Sequence, residues 1–285
     1  MTKLATTPKL RDFDLVVINT SSGKDSQTTS ELVMKLAARQ DYPFDKIIFA
    51  HADLGVLEWP GAKELAQEHA EHYNVPFHVT KRDVTQGNPN GINDFFEYVE
   101  SRGAWPSSTV RYCTSHWKRD PIAKLVVQMN RKLVDKLTKG KKFRVLNCLG
   151  FRAEESPARA KREAWAENTR QTTKTTREVV DWLPIHHLEE DDVWLTIDGA
   201  GTRYHSAYDL GMSRLSCRFC IFAPKSQLLL AAQQPENREL LERYVELEEK
   251  MGHTFKKDLS LREIMEAVDA GETLEFGEDD GAWNM

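Results

Sequence analysis

The 285-residue sequence lacks any long apolar run: stretches such as "DLVVI" and "LLLAA" fall far short of a membrane-spanning helix. Its opening, "MTKLATTPKLRDFD", has no apolar core of the kind a secretory leader needs. Cysteine is scarce, with four in the chain, which excludes a dense disulfide framework. Excess positive charge is absent too: the formal net charge is −5, so no global basic field draws the chain to nucleic acid or an anionic membrane. No internal repeat is found. These absences predict a soluble, cytoplasmic protein with no membrane partner, and a hydrophobic content of 40% is enough to fill a core.

Four short apolar, β-branched segments read as strands: 15–19, 46–50, 77–80 and 144–149. Helical periodicity separates them, over 26–39, 61–73 and about 115–137. Alternating strand and helix predicts an α/β fold, a doubly wound, Rossmann-like parallel sheet with helices on both faces and a smaller C-terminal subdomain. The expected division is a flexible N-terminus (1–13), an α/β domain (14–180), a C-terminal subdomain (181–275) and an acidic tail (276–285). A Thr-rich stretch, "NTRQTTKTTRE", reads as a loop or hairpin, and further helices are expected near 227–251 and 261–270.

Ligands of such sheets bind beyond the carboxyl ends of the strands. "SSGKDS" follows the first strand, "HADLG" the second and "GFRAEESPAR" the fourth. A strand ending in a Gly/Ser turn that opens a helix aims backbone amides and the positive helix end at one point, where an anion fits. Gly23 allows close approach, Ser21, Ser22 and Ser26 bring hydroxyls, and Lys24 adds charge. A polar turn after a strand is the plainer reading of the hexapeptide alone. The pattern is not Walker A, because Asp25 follows Gly-Lys where that motif has Ser or Thr. A carboxylate beside phosphates calls for a divalent cation between them, so Mg²⁺ is expected.

"SSGKDS" resembles the PP-loop of the adenine nucleotide alpha hydrolase superfamily, usually SGGxDS, with Ser22 in place of the first Gly. With "HADLG", "VRYCTSHWKRDPI", "LGFRAEESPAR" and "YDLGMSRLSCRFCIF" in this order, the chain is similar to the phosphoadenosine phosphosulfate (PAPS) reductase-like branch, which includes the sulfurtransferase of DNA phosphorothioation. The resemblance implies ATP binding, with cleavage between the α and β phosphates in many members. It places Ser21, Ser22, Gly23, Lys24, Asp25, Ser26, His51, Asp53, Gly150, Arg152 and Glu155 at the nucleotide, with Lys24, Asp25 and Arg152 at the chemistry. Arg159, Arg203, Tyr208 and Arg214 are its substrate-side candidates. Bland alternatives stand beside these: loop capping for His51 and Asp53, and a surface ion pair for Arg152 with Glu155.

Cys148 lies in the apolar "VLNCLG" and reads as structural, whereas Cys113, Cys217 and Cys220 sit in polar, Arg-rich contexts. Three thiolates suit an iron–sulfur cluster, [4Fe-4S] with one open iron, and the resemblance to sulfurtransferases leans that way. Adding His116 gives a three-cysteine, one-histidine Zn²⁺ set, and free thiols are the third reading. His186 and His187 read as packing or hydrogen-bonding residues.

Two reactions share the nucleotide: adenylation of an acceptor followed by sulfur transfer, or thiol attack on PAPS. Reductases of the family carry an attacking cysteine near the C-terminus, and no cysteine follows Cys220 here. A non-catalytic adenine-nucleotide sensor or defence component is the reading from another class. The partners implied are a sulfur donor of cysteine desulfurase type, a tRNA or DNA acceptor and a homodimer. For a nucleic acid, Lys139, Lys141, Lys142 and the basic residues between Arg159 and Arg177 form the expected contact face, with a solvated surface as the alternative.

Overall fold

The computed structural model describes residues 7–83, 91–133 and 141–272. In chain order the strands are β1 (Leu15–Thr20), β2 (Ile47–Ala52), β3 (Phe77–Thr80), β4 (Phe143–Cys148), β5 (Trp165–Glu167) and β6 (Arg177–Trp182). The longer helices are α1 (Lys24–Arg39), α2 (Ala62–His72), α3 (Phe95–Arg102), α4 (Asp120–Leu133), α5 (Glu190–Asp198), α6 (Lys225–Ala232), α7 (Arg238–Met251) and α8 (Leu261–Asp269). The four predicted strands and most of the predicted helices are present.

The chain forms two compact units: one of residues 1–53, 61–80 and 119–205, the other of 54–60, 81–118 and 206–285. This interleaved division replaces the linear boundary expected near residue 180. In the first unit the strands form one sheet in the order β3-β2-β1-β4-β6-β5. Every pairing is parallel except β5 with β6, so the Thr-rich stretch is the turn of an antiparallel hairpin.

Side chains alternate across the sheet, and the two faces build two cores. Val16, Ile18, Phe49, Leu146 and Val180 pack with Val33, Met34 and Ala37 of α1. Leu15, Val17, Ile48, Val145 and Val179 pack with Ile122, Leu125 and Val126 of α4. Strands buried on both faces have little room for polar residues, which is why β1 reads as a near-continuous apolar run.

A polar line crosses this sheet near the carboxyl ends. The Asn19 amide donates to Asn147 Oδ1 at 2.7 Å and to the Cys148 carbonyl at 2.9 Å. Asn147 in turn donates to Asp181 Oδ1 at 2.7 Å, and Asn168 donates to both Asp181 oxygens. Cys148 is fully buried, as its context predicted, and burial and Asp181 push its thiol well above the ordinary range.

Two expectations change here. Residues 7–13, before β1, are anchored: Leu10 is fully buried, and its amide donates to Gln40 Oε1 at 2.8 Å, while residues 1–6 of the expected flexible N-terminus lie outside the described residues. The single helix expected from about residue 115 is instead a π-type turn (Ser115–Arg119) followed by α4, with a short turn (Tyr112–Thr114) before them. Pro121 has no amide hydrogen for the preceding turn, so an unbroken α-helical ladder cannot pass through it. The rest of that expected helix, 134–137, lies outside the described residues, as does the acidic tail.

In the second unit Phe96 and Val99 of α3, Leu228 and Leu229 of α6, Leu241, Tyr244 and Val245 of α7 and Ile264 of α8 share a core with Trp59, Trp105 and Trp117. Glu248, buried under the start of α8, accepts from the Leu261 amide at 2.9 Å and the Arg262 amide at 3.2 Å. Among the described residues no helix is long and apolar enough to cross a membrane.

Candidate functional site

The loop after β1 is held by its own serines. The Ser21 amide donates to Ser26 Oγ at 3.1 Å, and Ser26 Oγ donates to the Gly23 carbonyl at 2.9 Å. Gly23 is the N-cap of α1 and brings no capping side chain, so the helix opens with its first-turn amides uncovered by a cap residue. Ser22 stands in the left-handed region at φ 61°, where a glycine would be unstrained, and its hydroxyl donates to the Ala62 carbonyl. The serine substitution in the family's loop is thus accommodated by a side-chain bond.

Opposite this loop stands the end of β4. A Cβ placed on Gly150 would lie 2.8 Å from the Asp25 carbonyl oxygen, so only glycine allows the approach. Arg152, 3% exposed, donates from Nε to Asp25 Oδ1 at 2.6 Å and from Nη1 to Glu154 at 2.8 Å. Burial opposes the guanidinium's charge, but Asp25, Glu155 and Glu154 outweigh it and hold the group more firmly protonated than usual. Arg152 is therefore not in a surface pair with Glu155; that carboxylate accepts from the Arg152 amide at 2.9 Å and is ion-paired with Arg159.

Lys24, only 2% exposed, places Nζ 3.0 Å from Glu190 Oε1 and 5.9 Å from the ring centroid of Trp194. The other oxygen of Glu190 lies 3.5 Å from Arg152 Nη2. α5 is fixed beside α1 because Thr28 Oγ1 donates to the Val193 carbonyl, and Gln27 Nε2 donates to Thr202 Oγ1 at 2.8 Å. Glu189 caps α5, in a box with Asp192, whereas Glu190 reaches across to Lys24 and Arg152. The signal was available only as an acid-rich helix start following a strand.

His51 and Asp53 lie at the carboxyl end of β2, the strand paired with β1. His51 is buried in β2 with Nδ1 3.2 Å from the Thr20 carbonyl, and the Asp53 amide donates to the Thr80 carbonyl at 2.8 Å. Arg203 is exposed and paired with Glu68 at 2.7 Å; the guanidinium in turn holds the Glu68 carboxyl below its usual range. Tyr208 and Arg214 fall in the second unit. His186 Nε2 lies 2.9 Å from the Arg159 carbonyl, a hydrogen-bonding role as read.

All three polar-context cysteines belong to the second unit. Cys217 pairs with Glu58 in an isolated antiparallel bridge. Burial pushes the Cys217 thiol up to about 12, with Lys118 pulling it down and Cys220, Cys113 and Glu58 adding to the rise. Cys113 is likewise raised, by burial and then by Cys220. Lys118, which sequence reasoning passed over, is the cation these thiols share: burial opposes its charge, while Cys217, Glu58, Cys220 and Cys113 favour it. His116 Nδ1 lies 3.0 Å from the Tyr98 hydroxyl. Among the described residues no three His, Cys, Asp or Glu side chains are arranged to hold a metal ion. The thiols share a neighbourhood with a lysine, but neither the zinc set with His116 nor the three-thiolate cluster set is formed. Asp25, from which a divalent cation was expected, is paired with Arg152.

A model of the phosphoadenosine phosphosulfate reductase domain matches residues 15–223. The chain belongs to this family. It is 30% identical over 149 residues to a 37.8 kDa protein of the gpa 5′ region of Escherichia phage 186, covering 52% of this chain and 41% of that one. It is 33% identical over 86 residues to a tRNA-cytidine(32) 2-sulfurtransferase of Anaeromyxobacter sp. (strain K), covering 28% of each. The matches span less than half the length of these relatives. Among solved structures, the U34-tRNA thiolase NcsA from Methanococcus maripaludis, with its [4Fe-4S] cluster, aligns at a TM-score of 0.37 and 14% identity, covering 97% of this chain and 81% of that one. The family's α/β sheet is present, with the loop "SSGKDS" at its first strand–helix junction.

Proposed function

We propose that this chain is a PP-loop enzyme that binds ATP at the junction of β1 and α1 and cleaves it between the α and β phosphates, adenylating an acceptor oxygen for sulfur transfer. One observation carries the reading: two almost fully buried cations, Lys24 and Arg152, arrive from the ends of two adjacent strands and meet at a single carboxylate. Buried cations that converge on one anion suit a ligand with several phosphate oxygens.

In this reading the pyrophosphate leaves into the loop, where the amides at the start of α1, Lys24 and Arg152 offset the charge that develops on it. Asp25 holds the Arg152 guanidinium in orientation, and Gly150 lets the β4 end close on the loop. Magnesium, when bound with ATP, supplies further neutralisation of the phosphates. An iron–sulfur cluster on Cys113, Cys217 and Cys220 belongs to the same reading only if those side chains rearrange, and no step here depends on one.

A tRNA acceptor is supported by the sulfurtransferase relative, and a DNA acceptor by the resemblance to phosphorothioation enzymes. Of the basic stretch, Lys161, Arg162 and Lys174 are exposed and suited to a phosphate backbone, whereas Arg177 is buried and donates to the Gln171 carbonyl. Arg170 is paired with Asp120 at 2.8 Å. Lys141 is exposed, and Lys139 lies outside the described residues. Sulfur would come from a donor of cysteine desulfurase type.

The test is to incubate the protein with ATP and magnesium and resolve the adenine products. AMP with pyrophosphate, lost in Lys24→Met, is expected; ADP as the product overturns α–β cleavage. The family assignment keeps a second reading in view, with PAPS as the nucleotide. Competition between ATP and PAPS for binding separates the two.

A further inference from the structure

Three carboxylates meet the two buried cations beside the loop. Lys24 and Arg152 are nearly enclosed, with side chains 3% and 4% exposed, and they are met by Asp25, Glu154 and Glu190. The two cations of a loop meant for anions are thus already paired with carboxylates, and an incoming phosphate chain has to replace one of them.

The three acids differ in how readily each can leave. Asp25 is on α1 itself, 13% exposed, and bound to Arg152 Nε at 2.6 Å. Glu154 is two residues from Arg152 and touches that guanidinium at Nη1. Glu190 is different: it sits on another element, its side chain is 44% exposed, and it bridges both cations, Oε1 on Lys24 and Oε2 on Arg152. A two-oxygen anion laid across these two cations occupies them as a phosphate group would. It is also the first residue of α5, where the positive helix end favours a carboxylate even after the bridge is broken. The side chain therefore has a stable place to go.

We propose that Glu190 is the resident counter-ion of the loop, bridging Lys24 and Arg152 until a phosphate chain displaces it, and that it thereby determines how tightly anions bind there. This rests on the phosphate-binding reading of the loop. With the bridge closed, the buried cations are paired and the empty loop is stable. With phosphate bound, Glu190 turns toward solvent and the ligand inherits both contacts. The carboxylate thus weakens binding of every anion and stabilises the ligand-free protein. Removing its charge shifts both balances in opposite directions.

The experiment uses inorganic pyrophosphate, titrated calorimetrically at fixed ionic strength into the full-length protein and its Glu190→Gln, Glu190→Asp and Asp191→Asn variants. Lys24→Met, alone and combined with Glu190→Gln, tests whether binding occurs at the loop. Glu190→Gln is expected to bind pyrophosphate about tenfold more tightly, the effect of removing one like charge from the site. Glu190→Asp, which keeps the acid at the helix start but shortens its reach, should fall in between. Asp191→Asn, the same charge change one residue on, should stay within about twofold of the parent. In thermal denaturation, ligand-free Glu190→Gln should melt lower than the parent, yet gain more from saturating pyrophosphate. Equal or weaker binding by Glu190→Gln, with Lys24→Met still abolishing it, overturns the counter-ion role and leaves the phosphate loop standing. Weaker binding confined to magnesium-containing buffer also overturns it, by making Glu190 a support for the metal. Pyrophosphate binding that is absent throughout, or indifferent to Lys24, overturns the loop reading and this inference with it.

Discussion

Arg152 Nε and Asp25 Oδ1 lie 2.6 Å apart although 127 residues separate them in sequence. The contact ties the carboxyl end of β4 to the first turn of α1, and both side chains are largely enclosed. Removing the arginine strands a carboxylate. Arg152→Ala should destabilise the fold by about 3 kcal/mol, as expected when one partner of a buried pair is lost, and abolish measurable pyrophosphate binding. Arg152→Lys keeps a charge but not the planar fork, and should lose roughly tenfold in affinity with a smaller drop in melting temperature. Calorimetric titration and thermal denaturation read both quantities.

Gly150 is required by space rather than by backbone angle. A methyl group there meets the Asp25 carbonyl oxygen at 2.8 Å, and the atoms in the way are backbone of Asp25 and Ser26, which cannot swing aside as a side chain would. Gly150→Ala should cost about 1–3 kcal/mol and widen the gap between β4 and the loop, so nucleotide binding should weaken as well. A variant with unchanged melting temperature and affinity would contradict this.

Ser22 carries left-handed strain and a compensating hydrogen bond, which makes its two simplest substitutions unequal. Ser22→Gly relieves about 1 kcal/mol of strain and loses a bond of similar net worth to the Ala62 carbonyl, so its stability should be close to that of the parent. Ser22→Ala keeps the strain and loses the bond. It should be the less stable of the two by about 1 kcal/mol. Chemical denaturation of the three proteins side by side decides the order.

The Cys217 thiol gives the protein an alkaline sensitivity. Its proton is held more tightly in the folded state, where the thiol is pushed up to about 12, than in the unfolded chain. The folded state therefore binds more protons in that range, and stability is full below the ordinary thiol pKa and falls as pH rises from about 9 toward 12. Cys217→Ala should remove part of that loss. Lys118→Met removes a cation that favours the thiolate, so metal-free Cys217 should be alkylated by iodoacetamide still more slowly than in the parent, as read by mass spectrometry.

Much of the first unit was legible in the sequence because a parallel sheet buried on both faces leaves an unmistakable mark: short β-branched runs at regular intervals, each followed by a Gly/Ser or acidic turn. β3 was found at its predicted bounds, and β1, β2 and β4 within two residues of theirs. What could not be read was how distant pieces converge. Nothing local announces that Glu190 belongs with Lys24, since an acid at a helix start is favourable wherever the helix lies. Lys118 escaped notice for a similar reason: in the line of sequence it is one basic residue in "HWKRD", and only burial beside thiols sets it apart. The break at residues 112–120 was hinted at by Pro121, but apolar spacing carried the helical pattern across it.

The path of the backbone has a consequence for anyone wishing to take this molecule apart. The polypeptide leaves one unit for the other at residues 53/54, 60/61, 80/81, 118/119 and 205/206. No single cut can release either unit as a continuous fragment, and the hairpin-to-helix stretch of the first unit is made long after its first strand. Contacts joining such remote stretches slow the search for the native arrangement, so truncated versions ending before residue 205 should emerge as aggregation-prone intermediates rather than as miniature folded proteins.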